Sequence, residues 1–130
     1  MKQYDKVMIV DDDEINNFIC SKLIKEAALS NQVVSFTQAQ KALEYLKGQL
    51  EMGHELPAVI FLDISMPIMD GWDFLKEYAQ LNEQKTKNTR LFMLSSSVHE
   101  EDIRKAESFK QVEKYLTKPM TFNTILQIFK

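Results

Sequence analysis

Short apolar runs alternate along the chain with segments of helical periodicity. Each run has the length of a buried strand and is bounded by polar residues. The five runs are Lys6–Val10, Val33–Phe36, Ala58–Leu62, Leu91–Leu94 and Val112–Leu116. Short apolar runs of this kind are typical of parallel strands that are covered on both faces, so the pattern predicts five such strands.

The segments between the runs carry apolar residues three or four positions apart, which predicts a helix after each strand. The predicted apolar stripes are Ile15, Ile19, Leu23 and Ala27; Leu43, Leu46 and the stem of Lys47; Phe74, Leu75 and Tyr78; and Phe122, Ile125, Leu126 and Phe129. The last two helices are expected over Val98–Phe109 and Thr121–Phe129. Helix starts are predicted from two capping boxes, Thr37 with Gln40 and Ser97 with Glu100. The polar stretches Gly48–Pro57 and Asn82–Arg90 are expected to be loops.

Alternating strands and helices favour an α/β fold in which right-handed crossovers place helices on both faces of a parallel sheet. Five strands suit a doubly wound (βα)₅ arrangement. A chain of 130 residues with 45% hydrophobic residues can furnish one such core. We therefore expect a single domain over residues 1–130 with no output domain.

Charge and cysteine content exclude several classes of function. With 16 Lys and Arg against 19 Asp and Glu, the net charge of −3 argues against direct binding to nucleic acid. Cys20 is the only cysteine, so it cannot form an internal disulfide, and its place in a helical pattern favours packing. The chain has no apolar stretch long enough for a signal peptide or membrane span, and we expect a cytoplasmic protein without membrane contact.

Acidic residues follow two of the predicted strands. Asp11, Asp12 and Asp13 come directly after the first strand, and Asp63 directly after the third. Ligands of open α/β sheets bind outside the carboxyl ends of the strands, where the strand order reverses. If these two strands are neighbours there, their carboxylates repel one another and require a cation, for which Mg²⁺ is suited. The alternative for the acidic run is helix capping, with Asp13 as the cap of a helix that starts near Glu14.

Four segments in order along the chain resemble the signature segments of two-component response-regulator receiver domains. They are Val10-Asp11-Asp12-Asp13, Leu62-Asp63-Ile64-Ser65-Met66-Pro67-Ile68-Met69-Asp70-Gly71, Leu94-Ser95-Ser96 and Tyr115-Leu116-Thr117-Lys118-Pro119. The similarity extends over essentially the whole chain. It implies a CheY-like, flavodoxin-like fold with strand order 2-1-3-4-5.

The resemblance also implies a role for each site residue. Asp63 would be both the phosphoacceptor and a metal ligand. Asp12 would be a direct Mg²⁺ ligand, Asp11 an outer ligand through water, and the backbone carbonyl of Ser65 a further metal ligand. Lys118 would pair with Asp63 and then with a phosphoryl oxygen, and its bond to the following proline is expected to be cis, as is usual in the family.

Two further residues match the family's switch positions. Ser95 would bond to the phosphoryl group in the active state, although three serines after a strand also suit an ordinary loop. Tyr115 matches the family's rotameric aromatic residue, with a core tyrosine as the alternative. Ser65 and Ser97 occupy positions that often modulate phosphoryl lifetime in the family, and because both are small we expect a long-lived phosphoryl group. The Met66–Gly71 stretch reads as a turn in which Gly71 permits a positive φ before a helix near Trp72.

These roles describe a Mg²⁺-dependent switch rather than a turnover enzyme. The phosphoryl group would come from a phosphohistidine of a sensor histidine kinase or phosphotransfer protein, and a downstream protein would bind the face formed by the fourth predicted helix, the fifth strand and the fifth predicted helix. A Mg²⁺-dependent phosphohydrolase is one alternative, although Ser65 stands where such enzymes carry a second aspartate. A receiver-like interaction module that is not phosphorylated is the other.

Overall fold

The computed structural model describes residues 3–96 and 99–129. Strands and helices alternate as the hydrophobic pattern predicts. The strands are β1 Val7–Val10, β2 Val33–Phe36, β3 Val59–Asp63, β4 Arg90–Ser95 and β5 Val112–Thr117. The helices are α1 Glu14–Glu26, α2 Ala39–Glu51, α3 Gly71–Tyr78, α4 Glu83–Thr86, α5 Glu100–Glu107 and α6 Phe122–Ile128.

The five strands form one parallel sheet in the order β2-β1-β3-β4-β5. This confirms the predicted doubly wound fold. The order reverses between β1 and β3, so the chain creates a topological switch point between the carboxyl ends of these two strands.

Successive residues of each central strand enter two separate cores. Met8 and Val10 of β1 face the core covered by α2, α3 and α5, whereas Val7 and Ile9 face the core covered by α1 and α6. This two-residue alternation lets short strands bury every side chain, which explains their continuous apolar runs. Among the described residues, no helix is long and apolar enough to cross a membrane.

The predicted apolar stripe of α1 is wrong in its first half, whereas Leu23 packs against the core and Ala27 is buried, as predicted. Ile15 is 72% exposed and Ile19 is 48% exposed, and the residues that face the sheet are Asn17, Cys20 and Ile24. The physical reason is that Asn17 is polar yet faces inward, where its Nδ2 donates to the backbone carbonyl of Asp11 over 2.9 Å. In α6, likewise, Ile125 and Phe129 are buried, whereas Phe122 and Leu126 are partly exposed.

Both predicted loops contain helix. Helix α2 continues to Glu51, and the short α4 occupies the second polar stretch, with Asn82 as its N-cap. Polarity misled the prediction because α4 is a surface helix with little to bury. In the structure, the fourth and fifth predicted helices are therefore α5 and α6.

The N-cap of α1 agrees with the sequence, whereas that of α2 does not. Asp13 caps α1 by accepting from the backbone N–H groups of Ile15 and Asn16, as anticipated. The capping box at Thr37 is wrong, because α2 has Gln38 as its N-cap and this residue makes no side-chain capping bond. The box at Ser97 falls outside the described residues.

Candidate functional site

The sheet register brings the predicted site residues to one edge. Val10 pairs with Leu62, so Asp11 and Asp63 leave neighbouring strands side by side. Ser95 pairs with Thr117, the residue before Lys118. Since parallel strands lie about 4.8 Å apart, four side chains from four strands converge on one pocket.

Three carboxylates form a compact acidic cluster in this pocket. Asp11, Asp12 and Asp63 each offer an oxygen, and these oxygens lie within 4.8 Å of one another. Asp11 and Asp63 are buried, and Asp12 is exposed. Mg²⁺ holds oxygens at about 2.1 Å, so that opposite ligands lie about 4.2 Å apart, and it commonly retains several waters. The oxygen chemistry of the cluster therefore suits Mg²⁺, and retained waters would bridge the ion to a carboxylate that lies beyond direct reach.

Lys118 supplies the positive charge of the pocket. Its Nζ lies 2.7 Å from Asp11 Oδ2 and 3.2 Å from Asp63 Oδ1. Burial by itself lowers the pKa of Lys118, but the bond to Asp11 and the charge of Asp63 outweigh it, so the pKa is raised and the ammonium stays protonated. One ammonium faces three carboxylates, and a divalent cation would offset the negative charge that remains. The bond from Lys118 to Pro119 is cis, as the resemblance implies.

The surroundings of the Asp63 carboxylate shift its pKa. Burial and the negative charge of Asp11 raise its pKa to about 6, although Lys118 and a hydrogen bond from the backbone of Ser65 act in the opposite direction. A carboxylate held in this way gains from any added positive charge. Its surroundings therefore favour both a cation and a nucleophilic role at neutral pH.

Two asparagines that the sequence reasoning missed hold Asp11 from the first turns of α1. Asn16 Nδ2 donates to Asp11 Oδ2 over 2.6 Å, and Asn17 binds the Asp11 backbone carbonyl. The backbone N–H of Asp13 donates to Asp11 Oδ1 over 2.9 Å. The available signal was two consecutive asparagines inside a helix, since asparagine favours bonds to nearby polar groups over helix formation.

The remaining predicted residues lie at the same edge of the sheet. Ser95 is buried at the end of β4, where its backbone carbonyl accepts from the Lys118 N–H over 2.7 Å. The backbone N–H of Ser65 donates a hydrogen bond to the Asp63 carboxylate. That the Ser65 carbonyl binds the metal remains a prediction. Tyr115 is half-buried and packs against the core beneath α5, so its switching role also stays a prediction.

The loop after Asp63 departs from expectation in one respect. Gly71 does not have a positive φ; instead Ile68 does, at 69°, and its side chain is fully exposed. Gly71 is required for another reason: a Cβ there would lie 2.6 Å from the backbone oxygen of Asp63 and 2.9 Å from Ile64 Cα. The start of α3 therefore packs directly on the backbone that carries the predicted phosphoacceptor.

The thiol of Cys20 is buried on α1, and burial raises its pKa to about 11, which agrees with the predicted packing role.

Comparisons with known proteins agree with this geometry. A two-component response regulator from Cytophaga hutchinsonii is 29% identical, with a TM-score of 0.89 over 98% of this chain and 96% of that one. A response regulator receiver protein from Dyadobacter fermentans is 33% identical, with a TM-score of 0.84 over 96% of this chain and 94% of that one.

Among curated relatives, the sensor histidine kinase CheAY of Helicobacter pylori is 31% identical over 95% of this chain, which spans 14% of that kinase. Residues 7–130 match the family model described as the response regulator receiver domain. Receiver domains generally accept a phosphoryl group on an aspartate and bind Mg²⁺ in an acidic pocket. The chain therefore belongs to the response regulator receiver domain family of two-component systems.

Proposed function

We propose that this receiver accepts a phosphoryl group on Asp63, in a Mg²⁺-dependent reaction, from a phosphohistidine of a sensor histidine kinase or phosphotransfer protein. The observation that carries the proposal is the bridge made by Lys118 Nζ between Asp63 and Asp11, inside a cluster of three carboxylates. This arrangement brings together a nucleophile, a cation site and a fixed positive charge. We place the protein in the cytoplasm, where histidine kinases present their phosphohistidines.

In the proposed transfer, a carboxylate oxygen of Asp63 forms a bond to phosphorus while the bond from phosphorus to the histidine nitrogen breaks. The electron pair of the broken bond stays on the imidazole. Asp11 and Asp12 would hold Mg²⁺, which would neutralise charge on the transferring group. Lys118 would move its ammonium from Asp63 Oδ1 to a phosphoryl oxygen. Apart from its own transfer and hydrolysis steps, the chain would not turn over substrates.

The phosphoryl group would act as a switch because its oxygens would accept hydrogen bonds from the Ser95 hydroxyl and the Lys118 ammonium. Ser95 and Lys118 leave neighbouring strands at this edge. Their affinity for phosphorylated Asp63 over the free acid would bias two states of the face formed by α5, β5 and α6. Tyr115, on β5, would change its rotamer with this equilibrium and so alter the surface that a downstream protein binds.

An exposed apolar surface beside the pocket is the proposed docking site for the phosphodonor. Helices α1 and α6 cover the same face of the sheet, and each begins in the segment that follows a pocket residue, Asp12 for α1 and Lys118 for α6. Their outward sides carry Ile15, Phe18 and Ile19 of α1, and Phe122 and Leu126 of α6. This α1/α6 surface suits a protein donor, because the donor must contact the rim of the pocket to place its phosphohistidine in line with Asp63.

The test is intact mass after incubation with Mg²⁺ and a small acyl or amido phosphodonor. The wild-type chain should gain one hydroxylamine-labile phosphoryl group, and Asp63→Asn and metal-free samples should gain none. Repeated hydrolysis of external phosphoesters would instead indicate a phosphohydrolase. No phosphoryl gain and no hydrolysis would indicate an interaction module that is independent of phosphorylation.

A further inference from the structure

The carboxylate of Asp11 has donors on both oxygens. Its Oδ1 accepts from the Asp13 backbone N–H, and its Oδ2 accepts from both Lys118 Nζ, at 2.7 Å, and Asn16 Nδ2, at 2.6 Å. The two donors on Oδ2 differ in kind. Lys118 is a charged donor shared with Asp63, whereas Asn16 is a neutral donor.

We propose that Asn16 is a positioning residue for Asp11, an inference that rests on the proposed function of the pocket. If Lys118 leaves Asp11 to bind a phosphoryl oxygen, Asp11 Oδ2 loses its charged donor. Asn16 keeps the carboxylate in place through that change, because its amide comes from the first turn of α1 and does not depend on the state of Asp63. Asp11 thereby stays oriented toward the cation.

The neutrality of the amide matters to this role. A lysine or arginine at position 16 would neutralise Asp11 and compete with Mg²⁺ for it, whereas an amide donates a hydrogen bond and leaves the negative charge available. Groups that orient metal-binding carboxylates in this way commonly affect metal affinity strongly. Asn17 has a different task, since it binds the Asp11 backbone and not its carboxylate.

Calorimetric titration with Mg²⁺, without any phosphodonor, tests the proposal. The variants are Asn16→Leu, which keeps the volume and removes the donor, and Asn16→Gln, which keeps an amide. Asn31→Leu, at an exposed position outside the pocket, is the matched control. We expect Asn16→Leu to bind Mg²⁺ about tenfold more weakly. Asn16→Gln should recover most of the loss, and Asn31→Leu should match the wild type.

Thermal unfolding of the same metal-free proteins separates positioning from a structural role. The proposal holds if Asn16→Leu loses Mg²⁺ affinity while its unfolding temperature stays close to that of Asn31→Leu. It is overturned if Asn16→Leu binds Mg²⁺ like the wild type, or if Asn16→Gln is as weak as Asn16→Leu. Absence of Mg²⁺ binding by the wild-type chain would overturn the proposed metal site itself and the inference with it.

Discussion

Replacing Asp63 by asparagine should stabilise the folded chain when no metal is present. Asp63 is 4% exposed and lies beside the negatively charged Asp11, and these surroundings raise its pKa to about 6. In the unfolded chain the pKa of an aspartate is about 3.9. Keeping this carboxylate ionised therefore lowers the free energy of unfolding. Asparagine has a similar shape and no charge, so the substitution removes this destabilisation.

The magnitude follows from the difference between the two pKa values. A difference of about 2 units at about 1.4 kcal/mol each gives roughly 3 kcal/mol as an upper estimate. The folded pKa already includes the attraction of Asp63 to Lys118. Because asparagine reproduces the shape and hydrogen bonds of the neutral acid only approximately, we expect a gain of about 2 kcal/mol. Because the folded pKa is the higher one, the wild type is fully stabilised below about pH 4 and loses this contribution as the pH rises through about 6.

The assay is urea unfolding of wild type and Asp63→Asn at pH 4 and pH 8 in the presence of a chelator. We expect the variant to be more stable at pH 8, with a difference that shrinks toward zero at pH 4. Saturating Mg²⁺ should stabilise the wild type more than the variant, since the variant lacks one carboxylate. Equal stability at pH 8, or a difference that does not depend on pH, would refute this account of the electrostatics of Asp63.

Three further substitutions test other parts of the molecule. Gly71→Ala should lower the free energy of unfolding by about 2 kcal/mol, because the added Cβ meets the backbone of Asp63 and Ile64; unchanged urea stability would contradict the packing. Phe18→Ser on the α1/α6 surface should slow phosphoryl transfer from a phosphohistidine protein by about tenfold, with the rate from a small phosphodonor as the control that should not change. Ser65→Asn should hasten loss of the phosphoryl group, measured as the half-life of the purified phosphoprotein, and an unchanged half-life would remove the expectation of a long-lived state.

The sheet could be predicted from sequence because its central strands β1, β3 and β4 are buried on both faces and leave apolar runs, and the shorter apolar patterns of the edge strands β2 and β5 fit the same alternation. The helices were harder, since each shows only one face to the core. In α1 that face includes the polar Asn17, so a regular series of exposed residues, Ile15 and Ile19, was mistaken for the buried stripe. The short α4 has little to bury and gave no apolar signal.

The candidate site was predicted through chain order and strand ends, and the register brings Asp11, Asp63 and Lys118 together as that reasoning requires. Two features depend on three-dimensional contacts that a strand-end argument cannot supply. Gly71 is needed for its close approach to Asp63 and not for its φ, and Asn16 reaches back to Asp11 across one helical turn. Residue type and spacing do not reveal the close contact at Gly71, and the two consecutive asparagines of α1 signal a polar contact without identifying Asp11 as the partner.

Locating the phosphoryl group within the chain shows directly whether Asp63 is the phosphoacceptor. After reaction with Mg²⁺ and a small phosphodonor, borohydride reduces an aspartyl phosphate to homoserine, and peptide mass spectrometry identifies the residue that has been converted. We expect homoserine at position 63 and at no other aspartate. Conversion at Asp11 or Asp12, or no homoserine in a chain that carries phosphate, would contradict it.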